Sequence, residues 1–407
     1  MNLLHPQLKM KILILFVILL LIWSSCQFGD HRGTEINDIT IISLFERHPK
    51  KEVHIRDIAD IEYIALETTD DVLLGQLTAI SHVSDKYIVL WDLHGNVFIF
   101  DRTGRIISHF NHSGQGPREF LRMAGAGVVF DEKNREVFIF DAFSSRILVY
   151  SIAGEYRRTL HLDADLTVRS HSSAFSFDNE TLLIYDNIVR GRYIYSHNER
   201  PFILLSKKDG SIVSDLDVNL PVRYHTSVTV EVSDGVRSPL TIDPLNNRRF
   251  GTDFVIANIS SDTIYKFTQN RELTPWLVRR PSVHSSEPRR VWTPLLTTDR
   301  FMIFQITTLD FIAAERGRGG APGFTLMYEF ETGQISNVSF VNDDFPTRAW
   351  QIYAFALYTS RNTTASLLSA SRLRMSYEEN LLKGELKELA ATIDEEDNPV
   401  LMIVKFR

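Results

Sequence analysis

Two stretches of the chain superimpose when one is shifted by fifty residues. "WDLHGNVFIFDRTGRII" (Trp91 to Ile107) lies over "FDAFSSRILVYSIAGEYRR" (Phe140 to Arg158), with Gly104 above Gly154. In each, an aspartate (Asp92, Asp141) opens a polar turn, and a four-residue apolar strand follows (Val97 to Phe100, Ile147 to Tyr150). A glycine then sits four residues past the last aromatic. The turns differ by one residue, which a bulge or a longer hairpin absorbs. Looser copies follow: "LLSKKDGSIVSDL" turns at Gly210, "NISSDTIYKFTQNREL" has Arg271 where the glycine should be, and "FTLMYEFETGQISNVSF" returns to Gly333. Asn258 precedes Phe267 by nine residues, as Asp141 precedes Tyr150. The turn-to-turn spacings are 50, 56, 61 and 62, a decorated repeat of five visible copies and one implied closing copy.

Each copy is made of short strands rich in Val, Ile, Phe and Tyr, separated by polar turns. A period near 50 in an all-β chain indicates propeller blades. The fold expected is therefore an all-β, six-bladed β-propeller closed by its N- and C-terminal strands. One helix is expected, over Tyr377 to Ala390, because Leu381, Leu382, Leu386 and Leu389 fall close to one face. A ring must hide its last edge, and "ADIEYIALET" (Ala59 to Thr68) is the natural partner of the terminal strand Pro399 to Phe406.

The N-terminus reads as a leader. Lys9 and Lys11 precede an unbroken apolar run, Ile12 to Trp23, which is shorter than the ~20 residues a membrane-spanning helix needs. Cys26, the only cysteine, follows Ser24-Ser25; with no possible partner it forms no intramolecular disulfide. Its setting resembles the lipobox of bacterial lipoproteins, with Trp23 departing from the usual Leu, Val or Ile. The alternative is an ordinary signal peptide that ends near a free thiol. The organisation expected is a signal peptide (1–25), an anchor or linker (26–50) and the propeller (51–407), lipid-anchored in the cell envelope, with the outer membrane favoured and the side it faces undetermined. Loss of residues 1–25 takes the 44 basic residues to 42 against an unchanged 51 acidic ones, so the net charge moves from −7 to about −9. That balance argues against a nucleic-acid partner, which would need a basic stripe.

The leader, the early "IEYIALE", the "GQGPREF" after the first full blade and the terminal "DNPVLMIVKFR" together resemble the six-bladed β-propeller lipoproteins of Bacteroidetes, relatives of the NHL-repeat propellers. The resemblance implies an envelope-anchored propeller. It supplies no catalytic residues.

"HSGQGPREF" (His112 to Phe120) has no P-loop Lys-Ser/Thr and no third glycine of a dinucleotide fingerprint, so it reads as the crossover from one blade to the next, with Gly114 and Gly116 taking backbone angles closed to other residues. "GAGVVF" and "GRGGAPG" fail the same tests. In a propeller, such crossovers and the turns between second and third strands emerge on one face. That face would carry Asp92, His94, Gln115, Arg118, Glu119, Asp141 and Arg146, the candidate ligand-binding residues. No catalytic residues stand out. His109 and His112 form only a weak metal-ligand pair, no Gly-x-Ser-x-Gly elbow is present, and no metal or other cofactor is called for. Trp276, Trp292 and Trp350 suit core packing better than sugar stacking. Two classes remain. The favoured one is a monomeric, non-catalytic binder of a glycan, peptide or envelope protein; the other is a lyase or hydrolase acting on a small or carbohydrate substrate at the axial mouth.

Overall fold

The computed structural model describes residues 39–407 apart from 76, 142–143, 145, 163–170, 187–200, 219, 221, 225–226, 234–235, 242–246, 310–322, 346–357 and 361; only the backbone path is described at 124–126, 171–172, 186, 227–233, 236–241, 247–250 and 358–359. The leader, Cys26, Trp350 and most of "GRGGAPG" lie outside the described residues. Among the described residues no helix is long and apolar enough to cross a membrane.

Six antiparallel sheets follow one another along the chain, each ordered from an innermost to an outermost strand. The first blade is Ala79–Val83, Tyr87–Trp91, Asn96–Asp101 and Ile106–Asn111. The second is Met123–Asp131, Glu136–Asp141, Arg146–Ser151 and Tyr156–His161. The third is His171–Ser176, Thr181–Asp186, Phe202–Ser206 and Ile212–Asp215. A hairpin, Ser227–Ser233 with Val236–Thr241, precedes the fourth blade. That blade is Asn247–Phe250, Asp253–Ile256, Thr263–Phe267 and Leu273–Arg280. The fifth is Arg290–Thr297, Phe301–Thr308, Gly323–Glu329 and Ile335–Val341. The sixth takes Tyr358–Ser360, Thr363–Leu368 and Val400–Phe406 from the end of the chain and Ala59–Ala65 from its beginning. The six-bladed propeller and its closure by both termini are as the repeat implied.

Closure draws on more of the N-terminal segment than one strand. Thr40–Ser43, inside the segment read as anchor or linker, adds a parallel fifth strand to the fourth blade, and Lys50–His54 does the same for the fifth. Ala59–Ala65 then pairs in full register with the C-terminal strand, from Ala65 opposite Val400 to Ala59 opposite Phe406. The C-terminal strand is buried on both sides, and its alternation divides two cores. Val400, Met402, Val404 and Phe406 pack with Phe301 and Ile303 of the fifth blade, while Leu401 and Ile403 pack with Ile88, Leu90 and Phe98 of the first.

The third turn of each visible copy has one backbone requirement. Gly104, Gly154, Gly210 and Gly333 adopt φ of 88°, 80°, 87° and 68°, and Arg271 adopts φ 64° in the place of the missing glycine. The polar residue opening the turn holds it: Asp101 Oδ1 accepts from the N–H groups of Thr103 and Arg105, and Ser151 Oγ from those of Ala153 and Glu155.

The single helix expected over Tyr377 to Ala390 is instead two, Ala370–Glu378 and Gly384–Ala390. Asn380, at φ 55°, ends the first: its N–H donates to Tyr377 O, and the Leu381 N–H donates to Ser376 O, which is a Schellman stop. Leucine spacing sees a buried stripe, and Leu382 and Leu386 are indeed buried, but it does not register the left-handed asparagine that precedes them.

Candidate functional site

Because neighbouring strands run antiparallel, first and third turns emerge on one face of the ring, and second turns and crossovers on the other. On the crossover face, Asp92 is 3% exposed and caps its own turn: Oδ1 accepts from His94 N and Asn96 N, and Oδ2 from Asn96 Nδ2. Asp141, fully buried, accepts from Ser144 Oγ (2.6 Å) and from Arg146 Nε and Nη2 (3.3 and 3.2 Å). Arg146 Nη2 also donates to Glu119 O, and Tyr150 OH donates to Arg118 O, so Asp141, Arg146 and the crossover form one network. Ser113 Oγ reaches His94 O at 3.5 Å, and Asn111 Nδ2 donates to the same carbonyl, which ties the other end of the crossover to the Asp92 turn. His94, Gln115 and Arg118 are exposed, and the Arg118 guanidinium lies 5.4 Å from the Tyr156 ring centroid.

Glu119 folds back into its own loop, where Oε2 accepts from Gly116 N at 2.8 Å. That contact corrects the reason given for the glycines. Neither Gly114 nor Gly116 has positive φ; a Cβ on Gly114 would lie 2.0 Å from Glu119 Oε2, and one on Gly116 3.0 Å from Glu119 Cδ. A side chain at either position would displace the Glu119 carboxylate from its bond to Gly116 N.

His109 and His112 take separate partners: His109 stacks on Phe98 and bonds Asn96 Oδ1, whereas His112 stacks on Tyr150 and bonds Gly154 O. No group of three potential ligands converges on a metal position among the described residues. Trp292 is buried against Phe304, and Trp276 packs on Phe330.

A cavity of about 290 Å³ opens on the opposite face, lined from the first, second, fourth and sixth blades, as expected of the mouth of the central channel. The first blade contributes His82 from the end of its innermost strand, Ser84 and Asp85 from its first turn, and Arg102 from its third. A register shift between Ile80 and His82 marks a bulge, a common device for redirecting a side chain. Glu132 comes from the first turn of the second blade, Gly251 from that of the fourth, and Ser360, Thr363, Ile403 and Lys405 from the sixth.

Two ion-pair groups line this mouth. His82 Nε2 lies 3.0 Å from Glu132 Oε2, and this hydrogen bond holds the Glu132 carboxyl below its ordinary value against the opposing effect of burial. Arg102 Nη2 donates to Glu62 Oε2 at 2.7 Å, and Lys405 Nζ approaches the same oxygen at 3.7 Å and Asp85 Oδ1 at 3.9 Å. Glu132, ionised well below neutral pH, is a poor general acid. None of these mouth residues was singled out from the sequence. Their sequence signal lies in the first turns, where "SDK" (Ser84 to Lys86) and "DEK" (Asp131 to Lys133) occupy corresponding places ahead of the second-strand repeat.

A domain of unknown function, DUF4934, matches residues 39–405. A structure from Bacteroides fragilis, described as an exported-protein candidate, is 15% identical and covers 90% of this chain and 100% of its own, with a TM-score of 0.59. A DUF4221 member from Bacteroides vulgatus is 10% identical and covers 86% of this chain and 98% of its own, with a TM-score of 0.43. No curated protein matches the sequence.

Proposed function

This chain belongs to the DUF4934 family, and from that premise we propose that it is a non-catalytic binding propeller of the cell envelope that takes a glycan or peptide at the axial mouth. The observation that carries the reading is the cavity lined from four blades, whose charged side chains are already engaged with one another. Such a site can exchange internal ion pairs for contacts to a ligand. The description of the B. fragilis neighbour as exported and the leader-like run ending near Cys26 support a place outside the cytoplasm. Lipid attachment at Cys26 belongs to the same proposal: Cys26→Ala should release the protein from carbonate-washed membranes, and continued retention would refute the anchor.

The binding reading is tested by screening glycan and peptide arrays with the wild type and with Ser84→Trp, whose indole would obstruct the mouth. Hits should lose affinity in the variant and be recovered with unchanged mass after long incubation. Hits indifferent to Ser84→Trp would refute the mouth as the site. A mass change abolished by Glu132→Gln would establish the alternative, a lyase or hydrolase.

A second reading concerns the crossover face, where four leucines at the edges of the first blade, Leu73, Leu77, Leu93 and Leu121, are 57%, 72%, 44% and 48% exposed. They lie on the face that carries Asp92, His94, Gln115, Arg118, Glu119, Asp141 and Arg146. That combination suits contact with an envelope protein. Arg118→Ala with Leu121→Ser would then weaken such a complex without lowering the melting temperature.

A further inference from the structure

The mouth has a surplus of hydrogen-bond donors where the sixth blade meets the first. Arg102 and Lys405 share a single carboxylate oxygen, Glu62 Oε2. Arg102 is only 16% exposed in its side chain; one amino group is committed to Glu62, while the other, Nη1, is shielded from solvent and without a hydrogen-bond partner. A guanidinium nitrogen in that position demands an acceptor, because an unmet charged donor is costly. Lys405 is held only at 3.7 and 3.9 Å, beyond hydrogen-bond length, and its second partner, Asp85, is 96% exposed. Both cations line the cavity, beside the hydroxyl-bearing Ser84, Ser360 and Thr363.

Resting on the binding proposal and deepening it, we infer that this corner of the mouth is a carboxylate subsite, with Lys405 Nζ receiving the carboxylate of a compact ligand and the Arg102 side chain, 16% exposed, turning Nη1 out of its enclosed position to meet it. A carboxylate offers about four lone-pair sites and matches the planar guanidinium edge, so it would satisfy the orphaned nitrogen and replace the loose claim of Asp85 on Lys405. The cavity volume of about 290 Å³ admits one sugar ring or a short peptide end and no extended chain. Two ligand sources present this chemistry, a uronic acid and a peptide C-terminus.

Isothermal titration of the purified protein with D-galacturonate, D-galactose, dialanine and dialanine amide separates them. At least one carboxylate probe should bind, with its neutral counterpart at least tenfold weaker. Galacturonate alone would identify the sugar source, and dialanine alone the peptide source. Arg102→Gln should weaken the bound probe at least tenfold. Lys405→Gln, at a position 47% exposed, should weaken it threefold or more while keeping the wild-type melting temperature. Equal binding of charged and neutral probes, binding of neither carboxylate, or indifference to Lys405→Gln would overturn the subsite. If array hits are sensitive to Ser84→Trp yet lack a carboxylate and ignore both substitutions, the subsite falls and the binding reading stands; if no hit is sensitive to Ser84→Trp, both fall.

Discussion

Asn398, from the terminal "DNPV", is 3% exposed and locks the ring at its seam. Its Oδ1 accepts from Leu74 N at 2.7 Å, and its Nδ2 donates to Glu67 O and Val72 O, each at 2.7 Å. The C-terminal strand is thereby pinned to the crossover that leads from the sixth blade into the first. Asn398→Ala removes all three bonds and leaves a part-buried N–H, a part-buried carbonyl and the buried carbonyl of Val72 without this partner. At about 1–3 kcal/mol for each abandoned group, reduced by water entry and relaxation, the loss should be about 3–5 kcal/mol. Asn398→Asp is the sharper perturbation, because shape and the Leu74 bond survive. A carboxylate oxygen replaces Nδ2, however, and meets two carbonyls at donor distance with no proton to give, so the aspartate should cost at least as much as the alanine, about 3–5 kcal/mol. Urea unfolding followed by tryptophan fluorescence, at constant slope, measures both. An Asn398→Asp variant within about 1 kcal/mol of wild type would refute the seam argument.

Deleting residues 400–406 strips a central strand from the sixth blade and opens the cores it shares with the fifth and first, so the truncated chain should aggregate; a soluble product with an unchanged melting temperature would contradict closure. Gly114→Ala displaces Glu119 from Gly116 N and should cost about 1 kcal/mol in the wild type and close to nothing in a Glu119→Ala background, read in a double-mutant cycle; additivity would show that the carboxylate is not the obstacle. Arg271→Gly should hold stability within about 1 kcal/mol despite losing the Asp178 ion pair, because relief at φ 64° offsets it, whereas Arg271→Val should lower stability by about 2 kcal/mol; equal melting temperatures for the two would refute the strain. Asp209 is held at about 2, chiefly by the Ser211 hydroxyl, and Asp101 and Asp178 also lie below their ordinary values. The folded protein therefore binds fewer protons than the unfolded chain in mild acid. The stability these groups confer is complete above about pH 4 and is lost as pH falls toward 2; an acid titration in which Asp209→Asn leaves that slope unchanged would contradict it.

The fold was legible because each blade repeats the same backbone requirement. Even Arg271, a residue that gives no turn signal by itself, was placed in the glycine's position by spacing, and it takes the glycine's φ. The terminal pairing was legible because an apolar strand at each end of the chain leaves a ring only one way to hide its edges. The candidate site was less so. Asp92 and Asp141 are polar residues in turns, a pattern that fits a ligand face and a self-capping turn equally well, and only the hydrogen bonds show where their oxygens go. Glu62, Arg102 and Lys405 are separated in sequence and meet only because the ring closes, so local pattern could not bring them together. The break at Asn380 was hidden for a related reason, since apolar spacing records which side chains are buried and is silent on the sign of φ.

Hydrogen exchange with and without the carboxylate probe that binds tests most directly where this propeller holds its ligand. Slowed exchange at amides 82–86, 101–105, 132–135 and 362–363, in the first and third turns around the mouth, is the predicted result. Slowing confined to amides 92–96 and 112–120 would place the ligand on the crossover face and contradict the account.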